Sequence, residues 1–343
     1  MKYFVTGHTG FKGAWLTLML REMGHEVHGY SLDPIQGSLF ERANLGVLCA
    51  SDIRSDIRDS TKLSEELSRV SPDVIVHLAA QPLVRYGYEH PEETFSTNID
   101  GTLNVLSSAK KLSGLLALLV VTTDKVYTNT SKKSGYVETD PLGGLDPYSA
   151  SKAAADILAQ SWSHTFPKLP LVIARAGNVL GGGDISQDRL VPDLVRAFSE
   201  HKVGQVRNPN SVRPWQHVLD CLSGYLSLVE AVVHSGTRGE WNFGPASDDF
   251  QTVSVLADLL ASEWGGDAMW ESTSSEIKLH EDDFLVLDSR KAQKELVWSN
   301  KYGLRETISD LVNWETRVLS QNNPFEATRE SIEKFLSYEK PKY

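Results

Sequence analysis

The chain has 343 residues, 41% of them hydrophobic and 23% charged, which is enough for two domains or for one large domain with an added lobe. Its formal net charge of −11 argues against nucleic acid or an anionic membrane as the main partner, because both are approached through basic surface. Cys49 and Cys221 have neither metal-site nor disulfide spacing, and we find no signal peptide or membrane span, so we predict a cytoplasmic protein without a metal site.

The first half of the chain alternates strand-like and helix-like segments. Strands are predicted at residues 2–7, 25–32, 74–80, 114–123 and 170–178. Helices are predicted between them, at residues 11–24, 62–73, 92–111 and 147–164. The 114–123 segment is almost unbroken in its apolar character, as in a central parallel strand that is covered on both faces. This alternation predicts an α/β fold of the Rossmann type, with a doubly wound parallel sheet.

The second half lacks this regular alternation and contains loop-like stretches, with one further helix at residues 220–236. We predict a first domain over residues 1–178, with a returning segment near 215–240. Residues 179–214 and 241–343 are predicted to form a smaller substrate-binding lobe at the C-terminal side.

A glycine-rich turn lies between the first strand and the first helix. The segment TGHTGFKG places Gly7, Gly10 and Gly13 at G-x-x-G-x-x-G spacing. Glycines there allow a tight turn and a close approach of the backbone to a pyrophosphate, which then faces the helix N-terminus. The turn therefore predicts a dinucleotide site, and its intervening residues are candidate contacts: Thr9, Phe11 and Lys12.

The end of the second strand bears on which dinucleotide is bound. Ser31 stands there, with the acidic Asp33 two residues later. Between Gly13 and Arg42 the only arginine or lysine is Arg21, inside the helix, so a 2′-phosphate has no obvious partner and NAD is favoured.

Further cofactor contacts are predicted where other strands end. In SDIRD, Asp56 and Ile57 are candidates to flank the adenine, although a solvated loop explains them equally well. The remaining candidates follow the fourth strand, precede Thr123 or lie in the helix at 92–111: Leu78, Ala79, Ala80, Thr122 and Asn98. Asn98 is more suited to bracing the sheet ends through backbone hydrogen bonds, and His77 to packing within its strand.

A threonine and a Tyr-x-x-x-Lys pair predict oxidation chemistry. Thr123 ends the fifth strand, and Tyr148 and Lys152 share one face of a helix. A lysine ammonium beside a phenol should lower the phenol pKa. The tyrosinate could then take the proton of a substrate hydroxyl while its carbon gives hydride to nicotinamide, so Tyr148 and Lys152 are candidates for both catalysis and cofactor binding.

Asp124 and Lys125 directly follow Thr123 and could be an acid and a base, or a structural salt bridge. Successive residues on a regular strand point to opposite faces, so both reach one sugar only if the chain leaves the strand at Thr123. Direct contact between them would favour the ion pair and would disarm both groups.

Eight segments together resemble the extended short-chain dehydrogenase/reductase family of nucleotide-sugar enzymes, over most of the chain. They are TGHTGFKG, SDIRD, HLAAQPLV, TNIDGT, TTDKVY, YSASK, RAGNVLGGGD and RPWQHV. Within that family the sequence is most similar to the CDP-glucose 4,6-dehydratase subfamily. The resemblance implies NAD-dependent conversion of CDP-D-glucose to CDP-4-dehydro-6-deoxy-D-glucose, by C4 oxidation, loss of water from C5 and C6, and hydride return to C6.

The resemblance also implies roles for single residues and a place for the enzyme. Tyr148 would deprotonate the C4 hydroxyl, Asp124 would be the acid and Lys125 the base. The similar dTDP-glucose dehydratases have Glu where Lys125 stands, which leaves a positioning role for this lysine open. The family further implies a homodimer or higher homo-oligomer, paired through the helices at 92–111 and after Tyr148, and a role in making O-antigen sugars.

A sugar nucleotide brings two phosphates, and arginine side chains suit them. Arg213 is the first candidate, followed by Arg189 and Arg207, although a solvated loop explains Arg207 equally well. The other substrate candidates lie after the fourth strand, at the end of the sixth strand and in the loops beyond: Gln81, Arg85, Asn178, Leu190 and His217.

Three alternatives remain open. A nucleotide-sugar 4-epimerase needs Thr123, Tyr148 and Lys152 but has no use for an acid and base after the strand. A dTDP-sugar dehydratase would share the chemistry, because nothing in the loop residues distinguishes cytosine from thymine. An NAD-binding regulatory protein would need neither Tyr148 nor Lys152.

Overall fold

The computed structural model describes residues 1–246, 250–273 and 283–338. Its strands, in chain order, are β1 (Lys2–Thr6), β2 (Glu26–Ser31), β3 (Ser51–Arg54), β4 (Val74–His77), β5 (Ala117–Thr123), β6 (Leu171–Ala176), β7 (Val179–Leu180), β8 (Gly204–Val206), β9 (Val212–Pro214), β10 (Gln216–His217), β11 (Gly239–Phe243), β12 (Phe250–Thr252) and β13 (Trp270–Ser272).

The helices, numbered in the same way, are α1 (Phe11–Glu22), α2 (Leu39–Arg42), α3 (Ser60–Val70), α4 (Val84–Glu89), α5 (Pro91–Phe95), α6 (Gly101–Ala109), α7 (Pro147–Thr165), α8 (Leu190–Ser199), α9 (Val218–Ser235), α10 (Val253–Trp264), α11 (Arg290–Glu295), α12 (Leu304–Gln321) and α13 (Pro324–Ser337). A π-helical turn, Ser96–Asp100, joins α5 to α6, and short 3-10 helices cover Leu45–Leu48 and Asp124–Val126.

The main sheet has seven strands in the order β11-β6-β5-β4-β1-β2-β3. Every neighbouring pair in it is parallel. The strand order reverses between β1 and β4, and the crevice at the carboxyl ends of these two strands is where such sheets bind nucleotides. The predicted doubly wound α/β fold is therefore confirmed.

Two strands of this sheet differ from the sequence-based expectation. β3 is a short strand with partly exposed side chains, and its polar sequence SDIR has no apolar run that would predict it. β11 pairs with β6 at the opposite edge, so the sheet extends to Phe243, slightly past the returning segment predicted near 215–240.

The predicted C-terminal lobe does not have a separate set of helices. Ile308 and Leu311 of α12 belong to the lobe core, with apolar residues of α8 and α10. Trp314 and Val318, further along the same helix, belong to the core that packs on the main sheet. One helix therefore contributes to both cores.

Among the described residues, one helix is long and apolar enough to cross a membrane, and it is α9. Of its apolar window, 61% is buried inside the protein. Leu222, Leu228 and Val229 are fully buried in the core on the main sheet. Packing against the sheet accounts for the apolar character of this helix.

Candidate active site

The glycine turn brings three backbone segments too close together for side chains. Gly7 has φ +76°, and a Cβ built on it would lie 2.7 Å from the Ala79 nitrogen. A Cβ on Gly13 would lie 2.1 Å from the Gly7 carbonyl oxygen. Gly10 is the N-cap of α1 and supplies no side-chain cap, so the first N–H groups of the helix face the sheet crevice. This turn fits the pyrophosphate of a dinucleotide, because the helix terminus favours an anion.

The predicted contacts around this turn lie in the turn itself, at the start of α1 and at or after the end of β2. Thr9 is buried, and its Oγ1 lies 2.8 Å from Ser31 Oγ and donates to the Leu32 carbonyl at 3.1 Å. Phe11 and Lys12 begin α1, and Asp33 lies in an exposed loop after β2. Thr9 therefore ties the glycine turn to the end of β2.

The two predicted adenine contacts have other partners in the structure. Asp56 accepts three hydrogen bonds from the Arg58 guanidinium, which lower the pKa of its carboxyl. Ile57 is buried against Gly101, whose built Cβ would lie 2.7 Å from it. Contact of either residue with adenine stays a prediction.

The residues after β4 lie directly across from the glycine turn. Leu78 donates its N–H to the Thr6 carbonyl at 3.1 Å, and Ala79 and Ala80 follow it with half-buried side chains. Asn98 is 1% exposed, accepts the Gln81 N–H at 2.8 Å and donates to Ser151 Oγ at 2.9 Å. It thus braces the end of β4 against α7, as expected from its position.

The side chain of Thr122 is hydrogen bonded in the interior. Its hydroxyl donates to Asp156 Oδ2 at 2.8 Å, and both side chains are buried. Any contact of Thr122 with the cofactor would therefore come from its backbone. His77 is likewise a packed strand histidine, hydrogen bonded to Thr6 and Thr102, and burial lowers its pKa to about 3.

Tyr148 and Thr123 lie together where β5 ends and α7 begins. The phenol is half-buried, and burial raises its pKa, although a hydrogen bond with Thr123 and the charge of Arg189 act in the other direction. The predicted lowering of the phenol pKa is therefore wrong for this structure. The physical reason is that desolvation outweighs the nearby cations and that the Lys152 ammonium donates to the Val121 carbonyl at 2.8 Å.

Burial also lowers the pKa of Lys152, from 10.5 to about 8, while Asp156 raises it and Lys12 lowers it further. Between these two values the unfolded chain binds more protons than the folded one, so this lysine makes stability rise with pH across that window. We expect Lys152→Met to be more stable than the native chain at pH 7, by roughly 3 kcal/mol before other effects. In urea unfolding, the variant's gain in free energy of unfolding should be smaller at pH 9.5 than at pH 7. An equal gain at both pH values would contradict the lowered pKa of Lys152.

The chain leaves β5 at Thr123, as two adjacent catalytic groups require. Asp124 begins a 3-10 helix and is 3% exposed, and its Oδ1 accepts the Thr123 hydroxyl at 2.9 Å. Its Oδ2 lies near the end of β6, 3.2 Å from a Cβ built on Gly177. Lys125 is half-buried one residue further on. The carboxylate therefore lies between the ends of β5 and β6, on the edge that carries Tyr148.

Several predicted substrate contacts gather around one loop. Arg85 Nη1 and Arg207 Nη1 each lie 3.4 Å from Asp188 Oδ1, so α4 and the end of β8 meet at this carboxylate. Arg189 is the next residue, the N-cap of α8, which begins at Leu190.

Arg213 and Asn178 lie beyond this loop. Arg213 is half-buried on β9 and donates to the Val212 carbonyl at 2.9 Å. Asn178 lies between β6 and β7 and accepts the Gln216 N–H on its carbonyl at 3.4 Å. Their contact with substrate stays a prediction.

His217, a predicted substrate contact, has other partners in the structure, and its contact with substrate stays a prediction. Its side chain is fully buried and its Nδ1 accepts the Leu219 N–H at 3.2 Å, which caps α9. Its Nε2 lies 3.2 Å from Asp310 Oδ2, at ion-pair distance but with poor hydrogen-bond angles. The ring has a structural role because α12 covers it.

Gln81 also has other partners for its side-chain amide. The amide nitrogen donates to the Leu83 carbonyl and to Thr94 Oγ1, the latter at 2.7 Å. The amide oxygen accepts the Leu83 N–H. A contact between Gln81 and the hexose would require these bonds to break.

Sequence reasoning missed three features of the site. Lys12 donates to Tyr225 OH at 3.2 Å, and Tyr225 gives no signal because it lies within an apolar helix. Asp156 is one helical turn beyond Lys152, a spacing that could have been noticed. The position of Arg54, at the end of β3, depends on a strand that was not predicted.

A family model matches residues 3–244, described as the NAD dependent epimerase/dehydratase family. The chain belongs to this family. Membership in the NAD dependent epimerase/dehydratase family confirms the predicted cofactor class and the resemblance found in the sequence segments.

Related proteins match this chain over nearly its whole length. A CDP-glucose 4,6-dehydratase of Salmonella typhimurium is 42% identical, over 98% of this chain and 96% of that protein. A probable dTDP-glucose 4,6-dehydratase of Sinorhizobium fredii is 28% identical over 92% of each chain. Among solved structures, a Streptomyces venezuelae dTDP-glucose 4,6-dehydratase with NAD bound has TM-score 0.80 and 26% identity, covering 96% of this chain and all of that chain.

Proposed function

We propose that this chain is an NAD-dependent hydro-lyase that converts CDP-D-glucose to CDP-4-dehydro-6-deoxy-D-glucose. The observation that carries the proposal is the 42% identity, over nearly the full chain, to the CDP-glucose 4,6-dehydratase of Salmonella typhimurium. The carboxylate and amine directly after β5 support it, because a 4-epimerase has no need of them.

When bound, NAD supplies the oxidation at C4 and the reduction at C6 that together leave it unchanged. The glycine turn and the N-terminus of α1 would hold its pyrophosphate, and Thr9 and Ser31 its adenosine ribose. Lys152 would hold the ribose beside the nicotinamide from the buried face of α7.

Tyr148 is the proposed base for the C4 hydroxyl. Thr123 shares a hydrogen bond with the phenol and so orients it towards the end of β5. The proton of the sugar hydroxyl passes to the phenolate oxygen, and the charge of Arg189 favours the phenolate that is needed first.

Asp124 and Lys125 are the proposed acid and base of water loss. A ketone at C4 makes the C5 proton acidic, and the Lys125 amine would remove it. Asp124 would give a proton to the C6 hydroxyl as it leaves as water. The hydrogen bond from Thr123 holds the Asp124 carboxyl at the same strand end as Tyr148, which supports their action on one hexose.

We also propose that the enzyme is a cytoplasmic homodimer that makes deoxy-sugars for O-antigen. Two side chains on adjacent helices support pairing: Phe95 of α5 is 37% exposed and Ile157 of α7 is 53% exposed. Ile99 and Leu103 extend this apolar stripe with half-buried side chains. A second copy of the chain would cover it.

The decisive experiment incubates the purified protein with CDP-, dTDP- and GDP-hexoses and NAD and measures product mass. Loss of one water from CDP-glucose is the expected result. An unchanged mass with an altered C4 configuration would establish a 4-epimerase, and preferred turnover of dTDP-glucose would establish the other dehydratase. Binding of NAD without any turnover would favour a regulatory protein.

Two variants separate the proposed acid from the proposed base. Asp124→Asn should slow water loss by about 10²–10⁴-fold, so that a 4-keto hexose retaining its C6 hydroxyl accumulates. Lys125→Met should abolish exchange of the C5 hydrogen with solvent deuterium. Lys133→Met, which changes an exposed lysine in the following loop, is the matched control. Unchanged water loss would remove Asp124 from the mechanism, and persistent exchange would assign the base role elsewhere.

A further inference from the structure

The adenosine end of the proposed cofactor site is formed by the last residues of β2 and β3. These two parallel strands are paired to their ends, and the last pair in register is Ser31 with Arg54. The Ser55 N–H continues the pairing to the Ser31 carbonyl at 2.8 Å. Arg54 therefore lies beside the strand end where dinucleotide-binding folds recognise the ribose 2′ position.

Hydrogen bonds on two sides hold the Arg54 guanidinium in place. Nη2 donates to Asp52 Oδ2 at 2.6 Å, and Nη1 donates to the Leu32 carbonyl at 3.4 Å. Asp52 in turn lies 2.8 Å from His8 Nε2 in the glycine turn. The arginine side chain remains 29% exposed, and a guanidinium has five N–H donors, so donors remain for a ligand.

The chemistry of this strand end differs from that of a site selective for NAD. Such a site places a carboxylate at the end of the second strand, where it accepts from the 2′-hydroxyl and repels a 2′-phosphate. Here the position is Ser31, whose hydroxyl is held 2.8 Å from Thr9 Oγ1. Asp33 carries the nearby negative charge, but it lies in an exposed loop two residues further on.

We propose that this site accepts the 2′-phosphate of NADP as well as the free ribose of NAD, with Arg54 and Ser31 as the phosphate partners. The guanidinium donates charge-assisted hydrogen bonds to phosphate oxygens, and the serine hydroxyl bonds either a phosphate or a hydroxyl. The proposal rests on the proposed cofactor site but not on the identity of the sugar.

The test measures equilibrium binding to the full-length protein, freed of nucleotide, by calorimetry with NAD and NADP and without sugar. We expect the two dissociation constants to agree within about tenfold. Arg54→Gln should weaken NADP binding by about tenfold or more, while NAD binding changes by less than about threefold. Asp33→Asn should shift the ratio towards NADP, because it removes a negative charge near the phosphate.

Arg58→Gln is the matched control, because Arg58 pairs with Asp56 as Arg54 pairs with Asp52, at the same 2.6 Å. It should leave the ratio of the two constants unchanged. Binding of NADP more than about tenfold weaker than NAD, or equal losses of both in Arg54→Gln, overturns the proposal. NAD-dependent dehydration would survive that result, whereas failure to bind either nucleotide would overturn the proposed function itself.

Discussion

Replacement of Tyr148 by Phe is expected to slow turnover of CDP-glucose by about 10²–10⁴-fold, because the variant has no group to take the C4 hydroxyl proton. The ring itself remains to pack at the start of α7, so the fold and the affinity for NAD should be retained. The measurements are the rate of water loss by mass spectrometry and nucleotide binding by calorimetry.

Tyr3→Phe provides the matched control for this variant. It removes the same oxygen from a buried tyrosine in β1, but at the opposite end of the sheet from the carboxyl-terminal crevice. Its turnover should equal that of the native chain within about threefold. Retention of more than about a tenth of the native rate by Tyr148→Phe would assign the base role to another group.

Replacement of Asp156 by Ala is expected to lower the free energy of unfolding by about 3–5 kcal/mol. Arg175 donates to both Asp156 oxygens, at 2.9 and 2.7 Å, and the two side chains are 1% and 0% exposed. Removing the carboxylate leaves a buried guanidinium without its counter-charge. Arg175 retains only its bonds to Tyr127 OH and the Glu138 carbonyl. Urea unfolding measures the loss.

Asp193→Ala is the control, because Asp193 also pairs with an arginine, Arg196 at 2.9 Å, but on the surface. That pair should contribute less than about 1 kcal/mol. The double replacement Asp156→Leu with Arg175→Met should recover much of the lost stability, since it removes both buried charges. Equal effects of Asp156→Ala and Asp193→Ala would mean that burial does not decide the strength of the internal pair.

The local parts of this protein could be predicted from its sequence. The glycine spacing in TGHTGFKG and the four-residue step from Tyr148 to Lys152 are short-range patterns, and each directly implies a turn or a shared helix face. The apolar run that ends at Thr123 is equally local, and it became the central strand β5. These patterns were sufficient for the fold and for the centre of the candidate site.

Long-range pairings could not be predicted in the same way. Arg54 acquires its position from β3, whose SDIR sequence has no periodicity that indicates a strand. His217 lies in a polar segment with Arg213, which suggested a ligand contact, but Asp310 and Tyr302 from distant segments bury it. The phenol pKa of Tyr148 was misjudged for a related reason, because desolvation depends on all the neighbours and not on Lys152 alone.

The division of α12 between two cores limits which parts of the enzyme can be exchanged with those of a relative. Ile308 and Leu311 lie in one core, and Trp314 lies in the other, where Gly182 packs against its ring. A chimaera that exchanged the predicted substrate-binding lobe at a single junction would cut through a shared helix and leave an apolar face uncovered on each side. Engineering of new sugar specificity in this scaffold is therefore better confined to individual loop side chains than attempted by module transfer.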